Sequence, residues 1–199
     1  FSLDAGAPAG MTIDAATGVI DWAPGEAEGP DDYSITIRVT DDGVGNLSAS
    51  ETITVSVREV NVPPTLATLA NAAVDELQNV AFTASASDAD LPANGLTFTL
   101  DGNVPAGASI HPQTGDFTWT PSEEQGPGVH TFDVAVSDNG VPGASARQSI
   151  SITVGESNTA PVVTPVGDKS IPEGEDFSLI VAASDADLPA NELMFSLEA

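Results

Sequence analysis

Short stretches of the chain alternate apolar and polar residues with a period of two. Val80, Phe82, Ala84 and Ala86 share one face, as do Leu96, Phe98 and Leu100. Phe117 and Trp119 continue the set, followed by Phe132, Val134 and Val136, and then by Ile150, Ile152 and Val154. The intervening positions are mostly Thr, Ser and Asp. This pattern predicts strands with one face on a core and the other in water. No segment carries a convincing helical period. The stretches "AATGVI" from Ala15 and "PQTGDF" from Pro112 read as tight hairpins in which glycine supplies a positive φ. The expected fold is therefore all-β, a Greek-key β-sandwich of about seven short strands.

The strand pattern recurs. The segment "DADLPANGLTFTL" from Asp88 returns as "DADLPANELMFSL" from Asp185, 97 positions on. The same shift carries Phe1-Ser2-Leu3 onto Phe98-Thr99-Leu100, and "ATGVIDWAPGEAEGP" from Ala16 onto "QTGDFTWTPSEEQGP" from Gln113. It also carries "VTDDG" from Val39 onto "VSDNG" from Val136, and Asn61 and Pro64 onto Asn158 and Pro161, with no insertion or deletion. Self-similarity at a fixed period marks a tandem array. Proline-bearing links from Arg58 to Thr65 and from Gly155 to Val162 set the expected boundaries. Residues 1–60 are the C-terminal part of one repeat, 61–157 a complete repeat, and 158–199 the N-terminal part of the next.

Charge narrows the partners. Thirty Asp and Glu face four basic residues, a formal net charge of −26 over 199 residues. Such a chain repels nucleic acid and anionic membranes, and compaction is opposed unless cations neutralise it. Hydrophobic residues make up 41%, enough for a core. Cysteine is absent, which excludes disulfides and thiolate metal sites. No apolar run is long enough to span a bilayer. There is no cysteine nucleophile, nucleophile-elbow serine or glycine-rich phosphate loop, so the expectation is a non-enzymatic protein. His111 and His130 align with Asp14 and Tyr33 in the preceding repeat and read as bystanders, while Trp22 and Trp119 read as core.

Several carboxylates sit at element ends rather than on strand faces. Asp88 and Asp90 form an Asp-x-Asp pair after the Phe82 strand, with Asn94 four residues on; Asp185, Asp187 and Asn191 repeat the spacing. Asp138 ends the Phe132–Val136 strand as Asp41 ends the earlier one. Glu76 and Glu173 stand near the repeat start, and Glu26 and Glu123 follow the Trp strand. Alternate residues in an irregular loop can turn several oxygens toward one point, which suits a hard cation taking six to eight of them.

The Asp-x-Asp-x-x-x-Asn segment, "IDAATGVIDWAP" from Ile13, "SIHPQTGDFTWTP" from Ser109, "VSDNG" and the Asn-x-x-Pro links together resemble cadherin repeats. The resemblance covers essentially the whole chain. It is closest to bacterial cadherin-like and Ig-like (dystroglycan-type cadherin-like) repeats of large surface or secreted proteins. It implies calcium at the junction between successive repeats. Carried over residue by residue, the first junction would use Glu26, Glu59, Asn61, Asp88, Asp90, Asn94 and Asp138, with Glu28 as an additional candidate. The second would use Glu76, Glu123, Glu156, Asn158, Asp185, Asp187 and Asn191. Val62 and Thr159 stand where the family places an aspartate after the linker Asn, and Gln125 stands where Glu28 stands earlier. The reduced ligand set predicts one or two ions per junction, bound at the weak end of about 10⁻⁴ to 10⁻³ M.

The implied role is a calcium-stiffened spacer or cell-adhesion stalk, extracellular or at the cell surface, whose first partners are neighbouring repeats of the same chain. Carbohydrate binding beside polysaccharide-degrading domains is the alternative, and it requires aromatics exposed on a sheet face. Head-to-tail or homophilic self-association is a further expected partner mode, through unpaired strand edges.

Overall fold

Strands form where the alternation predicts them, in a computed structural model that describes residues 1–197. The first sixty residues carry β1 (Ser2–Leu3), β2 (Thr12–Ile13), β3 (Ile20–Asp21), β4 (Asp31–Thr40) and β5 (Ser48–Val57). Next come β6 (Thr65–Leu66), β7 (Ala72–Asp75), β8 (Val80–Thr83), β9 (Ala86–Ser87) and β10 (Thr97–Asp101). They are followed by β11 (Ser109–Ile110), β12 (Asp116–Trp119), β13 (Gly128–Ser137) and β14 (Ser145–Gly155). The last strands are β15 (Val162–Val163) and β16 (Ala183–Ser184). Single 3₁₀ turns at Glu26–Glu28 and Glu123–Gln125 are the helical elements among the described residues. None of these helices is long and apolar enough to cross a membrane.

The chain divides into two compact units. One gathers Phe1–Thr65, Ala86–Leu96 and Ser137–Ala146; the other gathers Leu66–Ser85, Thr97–Val136 and Arg147–Ala199. In the first unit, β4 and β5 form a long antiparallel hairpin from Asp31↔Val57 to Thr40↔Ser48, and β1 pairs along the other edge of β4. Ile35 is its buried centre. Arg38 grips Asp4 with two parallel hydrogen bonds of 2.9 and 2.6 Å, a fork geometry that fastens the residue after β1 to β4.

In the second unit, β10-β13-β14-β7 make a four-stranded sheet and β11-β12-β8 a three-stranded one. Phe117 of β12 stacks on Phe82 of β8 at 4.5 Å and on Phe132 of β13 at 5.6 Å, so the aromatic stack runs from one sheet to the other. Trp119, Val134, Val136, Ile150, Ile152 and Val154 complete the core, each at most 2% exposed. The predicted apolar faces are the buried ones, because only that register removes them from water. In the predicted hairpin, Gly115 has φ +72°, and a Cβ there would stand 2.2 Å from the Ala84 carbonyl oxygen. Glycine is required on both counts.

The unrepeated histidines do the work of the residues they replace. His111 Nδ1 accepts the Gln113 and Thr114 amides, as Asp14 Oδ1 accepts those of Ala16 and Thr17. His130 meets Trp119 edge-on at 4.9 Å, as Tyr33 meets Trp22 at 5.0 Å.

Candidate metal centres

Strand β7 joins the four-stranded sheet parallel to β14, with Asp75 opposite Gly155. That pairing delivers the next residue, Glu76, to the start of the linker, where its amide donates to the Gly155 carbonyl at 3.0 Å. Its side chain is fully buried. Oε1 accepts the Ser157 amide at 3.1 Å, whereas Oε2 is buried without a hydrogen-bond partner. Glu123 opens the 3₁₀ turn after β12, and its Oε1 accepts the Leu188 amide at 2.8 Å. Glu156 follows β14 directly. One oxygen each of Glu76, Glu123 and Glu156 lies within 4.8 Å of the others. Desolvation within the cluster raises the Glu156 carboxyl above its ordinary pKa, and the charges of Glu76 and Glu123 push it the same way.

The first unit builds a related cluster, with Asp90 as its third carboxylate. Oxygens of Glu26, Glu59 and Asp90 lie within 4.8 Å of one another. Glu26 sits in the equivalent 3₁₀ turn, and its Oε1 accepts the Leu91 amide at 2.8 Å. Asp90 is 2% exposed; both its oxygens accept the Val62 amide at 3.1 and 3.2 Å, and Asn94 Nδ2 donates to Oδ2 at 2.7 Å. Asp187 is held alike by Thr159 and Asn191. Glu59 is raised by desolvation of its carboxyl first, then by Glu26 and Asp90. Asp187 is lowered, chiefly by the Thr159 hydroxyl.

The other expected ligands fall into two groups. Asp88 and Asp185 each spend one oxygen on the amide two residues ahead, at 2.9 and 3.0 Å, and Asp88 Oδ2 is buried and unpartnered. Asn61 accepts from Asn94 and donates to Asp138 Oδ2, while Asn158 accepts from Asn191. Asp138 Oδ1 caps its turn by accepting the Gly140 and Ala144 amides; the Ala144 amide is the main cause of its lowered pKa. Asp41 caps the earlier turn through Gly43 and Leu47. Glu28 folds back onto the Gly25 amide at 2.8 Å, and Gln125 does the same to Ser122, so the Glu-to-Gln exchange preserves a cap.

Two glycines that sequence reasoning treated only as repeat markers shape these sites. A Cβ on Gly126 would meet Glu76 Oε2 at 2.3 Å, and one on Gly140 would meet Asn61 Oδ1 at 1.4 Å. Their recurrence at Gly29 and Gly43 was the available signal.

The donor set fits a hard divalent cation. It is all oxygen, its carboxylates crowd one another, and the buried Oε2 of Glu76 faces no donor. Among the described residues the one salt bridge, Arg38 with Asp4, uses neither cluster.

The family model described as "Putative Ig domain" matches residues 1–58 and 63–155. No curated protein matches the chain. The crystal structure of the Protocadherin GammaB4 extracellular domain superposes with a TM-score of 0.54 at 26% identity, covering 94% of this chain and 34% of that one. Human CDH23 EC21-23 gives 0.55 at 22%, covering 89% and 61%. Drosophila N-cadherin EC1-4 gives 0.53 at 18%, covering 77% and 40%. The chain thus spans between 34% and 61% of the length of these structures. With the family model matched over most of its length and a cadherin-like β-sandwich fold, the chain belongs to the Ig-domain family of that description.

Proposed function

We propose that the chain is a calcium-binding extracellular repeat, serving as a rigidified spacer or cell-adhesion stalk in a large bacterial surface or secreted protein. Residues 61–157 are taken as one complete repeat, flanked by parts of two others. The observation that carries the reading is Glu76: a fully buried carboxylate with one oxygen lacking any donor, within reach of Glu123 and Glu156. An unpaired buried charge is costly, and a bound cation removes that cost. Glu26, Glu59 and Asp90 would hold a cation in the first unit; Glu76, Glu123 and Glu156 would hold one in the second. Asp88, Asp185, Asp187, Asn61, Asn94, Asn158, Asn191 and Asp138 would orient them or add oxygens. A bound ion would supply the positive charge that lets Glu26 and Glu59 share one point with Asp90 of the next repeat, and Glu76 and Glu123 share one with Glu156 of the linker. Likeness to the Protocadherin GammaB4 extracellular domain supports the extracellular placement.

Thermal melts and small-angle scattering of metal-stripped protein, with and without millimolar calcium, test this reading. Calcium is expected to raise the melting temperature and lengthen the particle. Identical melts and identical scattering would overturn it.

A further inference from the structure

Two of the nine asparagines precede glycine, Asn94 and Asn139. The structure treats them differently. Asn94 is half-buried, and its amide nitrogen is pinned by Asn61 Oδ1 at 3.0 Å and Asp90 Oδ2 at 2.7 Å. Asn139 is exposed, and its Oδ1 accepts the Gly95 amide at 2.7 Å. A backbone N–H can pair only with an oxygen, so Gly95 fixes which way the Asn139 amide points. The next amide, Gly140 N–H, points at Asp138 Oδ1 at 3.0 Å. Asn139 therefore has its side-chain carbonyl polarised by one donor and the following backbone nitrogen held against a proton acceptor.

We propose that Asn139–Gly140 is a self-modifying site at which Asn139 converts to aspartate and isoaspartate, with water as the co-reactant. The Gly140 nitrogen attacks Asn139 Cγ and loses its proton; the oxyanion that forms on Oδ1 stays within reach of the Gly95 N–H. Collapse expels ammonia, which carries away the proton, and leaves a succinimide. Water opens the ring at either carbonyl to give Asp or isoAsp. An N–H donor 2.7–3.1 Å from a developing oxyanion is the arrangement that stabilises such intermediates. The aspartate product restores the residue of the preceding repeat, where Asp42 occupies this position ahead of Gly43. The isoaspartate product inserts a methylene into the turn on which Asn61 packs, since Gly140 leaves no room even for a Cβ beneath Asn61 Oδ1. Either product adds a negative charge beside Asp138. None of these steps requires a bound cation.

The test is incubation of the whole chain in chelator at mildly alkaline pH, natively and in urea, with peptide mapping by mass spectrometry. Asn139 should be the first of the nine asparagines to show the amide-to-acid mass gain. It should react about tenfold faster natively than unfolded, a modest share of what one oxyanion donor contributes in an enzyme. The Asn139→Gln variant should lose that early conversion. Conversion no faster in the native chain than in urea, or Asn94 reacting ahead of Asn139, would overturn the proposal.

Discussion

Glu76 Oε2 lies directly beneath Gly126, where a Cβ would stand 2.3 Å from it and 3.0 Å from Val154 Cγ1. The glycine is thus the roof of a carboxylate that has no donor of its own. Gly126→Ala should push the Glu76 carboxylate aside. The expected result is a loss of about 1–3 kcal/mol from overpacking together with weakened calcium binding, read from chemical denaturation and titration calorimetry.

Glu76→Gln separates charge from shape. It removes a buried, uncompensated charge while keeping the Oε1 acceptor for Ser157. In metal-free buffer the variant should melt above the parent chain. In calcium the order should reverse, because the parent gains about 2 kcal/mol per site at about thirty times Kd and the variant loses that gain. Paired melts in chelator and in calcium read both signs.

The pH response should change direction with metal. Glu59 and Glu156 have folded-state pKa values raised first by desolvation of their carboxyl groups and then by neighbouring carboxylates. A raised carboxylate contributes stability below its unfolded value and loses it as pH rises through the folded value. Metal-free protein should therefore gain stability as pH falls from neutral toward the ordinary glutamate range, about 4.3. Asp138 and Asp187 are lowered, chiefly by the Ala144 amide and the Thr159 hydroxyl respectively, so their contribution is lost only on further acidification. With calcium bound, protons compete for Glu59 and Glu156, and stability should fall over that upper window. Melting temperature against pH, with and without calcium, checks the crossing.

Much of this was legible from residue order alone. Alternation placed Phe117, Trp119, Phe132 and Ile152 in the core because a sheet with one wet face has no other stable register. The 97-residue shift carries Glu26 and Glu59 onto Glu123 and Glu156, but the third carboxylate of each group, Asp90 in one and Glu76 in the other, does not follow it. Partner choice was not legible. Glu28 and Gln125 bend onto their own turns, and Asp138 faces the Gly140 and Ala144 amides; those outcomes depend on turn geometry that spacing does not encode. Nor could the sequence tell which carboxylate would be sealed without a donor, because the roof over Glu76 comes from Gly126, fifty residues on.

Gly115→Ala supplies a calcium-independent control. The position combines φ +72° with a 2.2 Å approach to the Ala84 carbonyl, so the substitution should destabilise the hairpin by more than about 1 kcal/mol. Calcium affinity should be unchanged once the protein is folded, as measured by titration below the variant's melting range.

The most direct test of the account is a calorimetric titration of calcium into metal-stripped chain, beside a Glu76→Gln and Glu156→Gln double variant. The account predicts saturable binding at about 10⁻⁴ to 10⁻³ M, with the sites of the second cluster missing from the double variant. No saturable heat from the parent chain, or an isotherm that the double variant reproduces unchanged, would contradict it.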